Sequence, residues 1–272
     1  MAKNVFMKDT NESPGKNATT IAFVHHKGGT GKTTSALNVA GWLTKMKQKV
    51  LVVDMDPQGS ATAGLGVDRK SIDISIYDVF FGQKNMNQII LETDSSVFLA
   101  PSSLNLLSAE MNLTDLNGNV KVLDNSLVDV EKHFDFIIID LPPGSNFLMM
   151  NGIIAAENLI IPMNAGIFSY ETLEILKTLV IELDEEMEIA TNLQMILLRE
   201  IFSSWRYRKV KKLLREFLIE NNIPDVKIFR IPFSDKIFKA QMKGMPISHC
   251  APFSGIGRKY KKIAKQLLMN SI

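Results

Sequence analysis

The stretch Phe23–Thr34, FVHHKGGTGKTT, concentrates the residue types that hold a polyphosphate. Gly28, Gly29 and Gly31 let the backbone turn its N–H groups inward, at the start of a helix whose dipole also favours an anion. Within that loop, Thr30 adds a further polar position. Lys32 can reach the β- and γ-phosphates, the Thr33 hydroxyl can ligate Mg2+, and Thr34 adds a donor on the α-phosphate side. One place departs from the ordinary phosphate loop. His26 stands where a glycine is usual, and Lys27 follows it, where wrapping a phosphate needs no side chain. A second cation there can neutralise charge that develops on a transferred phosphoryl group.

Carboxylates suited to the same chemistry follow. In VLVVDMDPQGSATAGLG (50–66), alternation puts Asp54 and Asp56 on one face at the carboxyl edge of a strand, provided strand geometry persists through Asp56. Asp54 can equally be read as a cap for the next helix or turn. In FIIIDLPPG (136–144), Asp140 ends a buried apolar run, where a carboxylate can hold Mg2+ through water. His25 and His26 are adjacent at a strand end and so point to opposite faces; with no acidic or cysteine companion nearby, they suit packing better than metal binding.

These residues need a scaffold that gathers strand ends. Seven short apolar runs are strand candidates: 20–25, 49–54, 97–100, 134–140, 158–163, 193–198 and 226–231. Several are apolar on consecutive residues, as strands buried on both faces must be. Helical stretches at 32–46, 169–184 and 206–221 lie between them, the pattern of βαβ crossovers. The expected fold is α/β, a three-layer arrangement with a mostly parallel central sheet and helices on both faces. Residues 1–18 are polar and aperiodic and are expected to form a mobile tail; residues 19–272 are expected to form a single domain.

The pattern Lys27-Gly-Gly-x-Gly-Lys32-Thr33, with Asp54-x-Asp56-Pro-Gln-Gly and the Asp140 segment, resembles the deviant phosphate loop of the ParA/MinD family of ATPases, and the resemblance runs from about Thr19 to Leu268. It implies ATP and Mg2+ as cofactors, with Thr33 and Asp140 at the metal. It implies that Lys27 reaches across a homodimer to the partner's nucleotide, and that Asp56 orients the attacking water. IFRIPFSDKIFKAQMKGMPI (228–247) is similar to a family segment that places a proline near the adenine, here Pro232. The Arg-Asn that follows in the family is Phe233-Ser234 in this chain, so only Pro232 is carried over. The position equivalent to a DNA-binding basic residue is Lys236.

Charge is polarised along the chain. Residues 1–198 hold 14 Lys+Arg against 24 Asp+Glu, and residues 199–272 hold 17 against 5. RYRKVKKLLREF (206–217) carries Arg206, Arg208, Lys209, Lys211, Lys212 and Arg215 around an apolar stripe of Val210, Leu213, Leu214 and Phe217. A second cluster is Arg258, Lys259, Lys261, Lys262 and Lys265 on the final helix. Together with Lys236, Lys239 and Lys243 they point to sequence-independent binding of DNA phosphates. The resemblance completes the expectation: a ParA/Soj-type ATPase that dimerises on ATP, binds DNA non-specifically and moves a plasmid, chromosome region or other cargo. A ParB-like partner would stimulate its hydrolysis, and it would be cytoplasmic and nucleoid-associated.

The alternative is a membrane-surface ATPase of the MinD kind, which needs an exposed apolar face on a C-terminal helix; here that stripe is expected to face the core. Iron–sulfur relatives need paired cysteines, and the chain has only Cys250. No apolar run reaches the ~18 residues of a membrane span.

Overall fold

A computed structural model describes residues 3–4, 18–108, 120–144, 147–164, 192–199, 204–221 and 225–270. The expected helix at 169–184, most of the expected tail and the Arg206 side chain lie outside the described residues. The strands are β1 (Lys3–Asn4), β2 (Thr19–Phe23), β3 (Val50–Asp54), β4 (Leu91–Glu92), β5 (Phe98–Ala100), β6 (Phe136–Asp140), β7 (Asn158–Asn164), β8 (Asn192–Arg199) and β9 (Lys227–Ile231). The described helices are α1 (Lys32–Lys45), α2 (Ser60–Gly64), α3 (Ile76–Phe80), α4 (Met86–Ile89), α5 (Val122–Glu131), α6 (Phe147–Ile154), α7 (Ser204–Glu220), α8 (Asp235–Gln241), α9 (Ile247–Cys250) and α10 (Gly255–Asn270).

The strands form one sheet in the order β1-β4-β5-β3-β6-β2-β7-β8-β9. From β5 to β9 every pairing is parallel, while β4 runs antiparallel to both β5 and β1. All seven expected strands are present. Each is trimmed or extended by a residue or two, as hydrogen bonding rather than apolar content sets the ends. The strand at Lys3–Asn4 falls within the expected tail, so part of that segment is attached to the sheet.

Strand alternation builds two cores, one on each face of the sheet. Ile21, Phe23, Val50, Val52, Phe136, Ile138, Met195 and Leu197 pack on α1, α8, α9 and α10, with Tyr260, Ile263 and Leu267 of α10 fully or nearly fully buried. Their sequence neighbours Ala22, Leu51, Val53, Ile137, Ile139, Ile196 and Leu198 pack on α3–α7, meeting Val210, Leu214 and Leu218 of α7. That is the three-layer arrangement expected from consecutive apolar residues.

The segment GMPI (244–247) is pinned onto α1. Buried Asn38 donates its amide to the Thr34 carbonyl at 2.6 Å and accepts the Ile247 N–H at 2.7 Å. Asn38→Ala leaves the Ile247 N–H without that partner and costs about 2–3 kcal/mol, read as a lower midpoint in urea. An unchanged midpoint would show that water replaces the amide.

Candidate active site

β2 sits in the middle of the sheet, and the phosphate loop links it to α1. Chain order reverses around β2: β3 lies two places to one side, beyond β6, and β7 to β9 lie on the other. A crevice at the carboxyl ends of such strands is where open α/β sheets take ligands. Here it is a cavity of about 550 Å3 lined by Gly28–Thr34, Asp56, Pro143, Arg69, Arg199 and Gln241 among others. Gly28, Gly29, Thr30, Gly31, Lys32, Thr33, Thr34 and Asp56 thus meet in one place.

The loop is held by its own polar groups. Gly31 has φ 89°, and a β-carbon there would also collide with the Arg199 guanidinium. His25 is buried, and burial pushes its pKa down to about 4, with Lys32, His26 and Lys27 adding to the effect. The neutral ring accepts the Lys27 N–H on Nδ1 at 2.9 Å. His25 is therefore a clasp for the loop, in agreement with a packing role. The Lys32 ammonium, buried, donates to the His25 carbonyl at 3.0 Å. Burial lowers the Lys32 pKa, and Asp140 and Asp56 pull it partly back. Gly144 N–H donates to the His26 carbonyl at 2.8 Å, so the Pro-Pro-Gly turn is tied to the phosphate loop. Lys27 is exposed and does not line the cavity formed by its own loop.

The carboxylates separate into different environments. β3 ends at Asp54, so the condition for Asp54 and Asp56 to share a face is not met. Asp54 is fully buried, and its Oδ2 accepts both the N–H and the hydroxyl of Thr62 at 2.7 Å, capping the turn into α2. Asp56 lies in the cavity wall with Oδ1 accepting the Gln58 N–H at 2.9 Å. Asp54 is thus the positioning carboxylate and Asp56 the accessible one.

Asp140 is the residue next to Asp54 in the sheet register. It is fully buried, and neither oxygen has a hydrogen-bond partner. Burial and the Asp54 and Asp56 carboxyls push its pKa well up, while the Thr33 hydroxyl, which lies near it but makes no hydrogen bond to it, and the Lys32 ammonium favour its charged form. Buried oxygens left so are costly unless something completes them. A hard divalent cation suits them: Thr33 and Asp140 fit Mg2+, which would draw charge from the phosphates.

Three cavity residues carry no local signal in the sequence. Arg199, at the end of β8, donates to the Gly29 carbonyl at 3.4 Å. Gln241 of α8 donates to the Thr34 hydroxyl at 3.1 Å. Arg69 donates to the Gln58 carbonyl beside Asp56. Arg199 and Gln241 come from segments remote in sequence and Arg69 from the turn after α2, so only the folded chain reveals them. Pro232 follows β9 at the same end of the sheet but is not among the cavity's lining residues. Lys236 is exposed on the first turn of α8.

A phosphate loop between a central parallel strand and its helix, with a metal-suited carboxylate on the neighbouring strand, defines a P-loop nucleotide hydrolase. A family model described as an AAA domain matches residues 18–195. The chain is 32% identical over 254 residues to "Chromosome-partitioning ATPase Soj" of Treponema pallidum, covering 92% of this chain and 96% of that one. It is similar to a cobyrinic acid a,c-diamide synthase from Mycobacterium smegmatis with bound ATP analog and magnesium. That match has a TM-score of 0.75 at 25% identity and covers 93% and 95% of the two chains. The fold also matches a Cyanothece McdA–ATP complex, with a TM-score of 0.78 at 24% identity over 94% and 98%. The chain belongs to the ParA/MinD family of partition and positioning ATPases. It is an ATPase, with ATP and Mg2+ as its cofactors.

Proposed function

We propose that the chain pairs on ATP·Mg2+, binds DNA without reading its sequence, and is released when a ParB-like partner stimulates hydrolysis. The observation that carries DNA binding is the meeting of the two basic clusters. They lie far apart in sequence and on opposite faces of the sheet, yet Arg208 and Lys211 of α7 and Lys259 and Lys262 of α10 line one cleft at the β9 edge. Lys209 is exposed on the same helix, its ammonium 5.6 Å from the Trp205 ring centre. Lys236 belongs to neither helix and supports the reading only by its charge and exposure. The membrane alternative loses its structural motive, because Ile256, Tyr260, Ile263, Ala264 and Leu267 of α10 are spent on the core. Among the described residues no helix is long and apolar enough to cross a membrane.

The pair Arg208→Glu and Lys209→Glu is expected to weaken DNA binding about tenfold or more at low salt and to reduce the log–log salt slope by about 2. ATP hydrolysis without DNA should stay near parental, since neither residue lines the nucleotide cavity. A DNA titration at several salt concentrations measures both quantities. Parental affinity and slope would reduce α7 to a solvated face.

Asp56 is proposed to position the attacking water, since it is the carboxylate that faces the cavity. Asp56→Ala should retain ATP binding and slow turnover by about 10²–10⁴-fold. Single-turnover hydrolysis with bound ATP is the measurement, and an unchanged rate would move the role elsewhere.

A further inference from the structure

The cleft at the β9 edge is more than two helices that happen to be basic. It has a volume of about 530 Å3 and is lined by Ser204, Tyr207, Arg208 and Lys211 of α7, Ile228, Phe229 and Arg230 of β9, and Lys259 and Lys262 of α10. Among the described residues that line it, five are cations and none is acidic. The cations are held against one another: the Tyr207 ring lies under the Lys211 ammonium at 5.8 Å and the Arg230 guanidinium at 5.7 Å. Tyr207 is half-buried, and burial raises its phenol pKa. Burial also lowers the Lys211 pKa, and the neighbouring charges of Arg215 and Lys262 lower it further. Like charges brought together with partial loss of water are unfavourable in the free protein, and that cost is relieved when an anion enters. Among the described residues, β9 is the edge strand of the sheet and pairs only with β8.

Solvated cations on a convex helix face touch phosphates one at a time. A concave site lined by converging cations is suited to several negative charges within a few ångströms. The geometry points to a discrete phosphate-cluster site at the β9 edge, separate from the phosphate loop, that seats a compact run of phosphates between Arg208, Lys211, Arg230, Lys259 and Lys262. Two sources share that chemistry, a free polyphosphate and adjacent phosphates of a nucleic-acid backbone. Where the backbone is the source, the site rests on the DNA reading above and names its centre. A free polyphosphate would instead compete with DNA for Arg208, giving the chain a way to be displaced without hydrolysis.

The test uses the full chain saturated with a non-hydrolysable ATP analogue and Mg2+, so that the phosphate loop is filled and the paired state that the DNA reading requires is kept. Inorganic tripolyphosphate is titrated calorimetrically in one arm and a 12-base-pair duplex of random sequence in the other. Both are repeated with a cleft pair, Lys211→Met with Lys262→Met, and with an outer pair of equal charge change, Lys209→Met with Lys212→Met. The expected result is saturable binding that the cleft pair weakens about tenfold or more, well beyond the loss from the outer pair. Seen with tripolyphosphate, it assigns the site to free polyphosphate; seen only with the duplex, it assigns it to the backbone. Equal losses from both pairs, or no saturable binding in either arm, overturn the site. The DNA reading fails separately, when the parent binds tripolyphosphate but not the duplex. Thermal melts of both pairs report whether the fold is kept, and the single variant Lys262→Met, on an exposed position, replaces the cleft pair if it is not.

Discussion

Replacing Lys32 by methionine is expected to weaken ATP binding by about 30-fold to several-thousand-fold while leaving the nucleotide-free protein at least as stable as the parent. Both halves come from the same geometry. The Lys32 ammonium is buried beside Asp140 and Asp56 and hydrogen-bonds the His25 carbonyl. Its folded-state pKa lies below the ordinary 10.5, because desolvation outweighs the attraction of the two carboxylates. A lysine depressed in this way disfavours folding at neutral pH. The penalty fades only as pH rises from the folded value toward 10.5. Methionine keeps most of the volume without the charge, so the penalty disappears with it. When the phosphates arrive they supply the anionic partner that makes a buried cation favourable. Losing that partnership costs about 2–5 kcal/mol, roughly 30-fold to several-thousand-fold in affinity. Calorimetric titration with ATP·Mg2+ and a melt without nucleotide measure the two halves. Near-parental affinity would mean that the phosphate loop is misplaced. A melt lowered by several degrees would mean that Lys32 is needed as a counter-charge for Asp140 even in the empty site.

The sheet was legible in the sequence because its strands are buried on both faces, and runs such as FIIID can be little else. β1 and β4 were not, since two residues carry no period and their pairing is decided by the neighbouring edge. The phosphate loop was legible because the motif is local. Asp54 and Asp56 show the limit of local reasoning. Alternation places them together, but the strand stops at Asp54, and Thr62, eight residues on, takes that carboxylate out of the site. Arg199, Gln241 and Arg69 reach the cavity from β8, α8 and the turn after α2, which no spacing rule connects. The two basic clusters were visible as composition. Their meeting around β9 depends on α7 and α10 lying on opposite faces of the sheet and curling over its edge, a property of the folded chain.

Lys27→Ala should bind ATP much as the parent does, because the side chain is exposed and does not line its own cavity. Its hydrolysis should fall about 10³-fold or more if the ammonium acts on a partner's nucleotide as an arginine finger does. A loss of rate alone cannot distinguish action within a subunit from action across a pair. Mixing can. Combine Lys27→Ala protein with Asp56→Ala protein in equal amounts and allow subunits to exchange under ATP·Mg2+. In each mixed pair, the nucleotide on the Lys27→Ala subunit keeps its own Asp56 and receives the intact Lys27 of the other chain. The opposite site lacks both. Random pairing then restores about a quarter of parental turnover, from two preparations that are separately almost inactive. If Lys27 served its own subunit, every site in the mixture would lack one group or the other, and turnover would stay at the sum of the two variants. Recovery would also require Asp56 to act on the nucleotide of its own chain, as its place in the cavity wall implies. An unrecovered mixture that still forms pairs by light scattering would return Lys27 to its own loop and remove the reason for hydrolysis to depend on pairing.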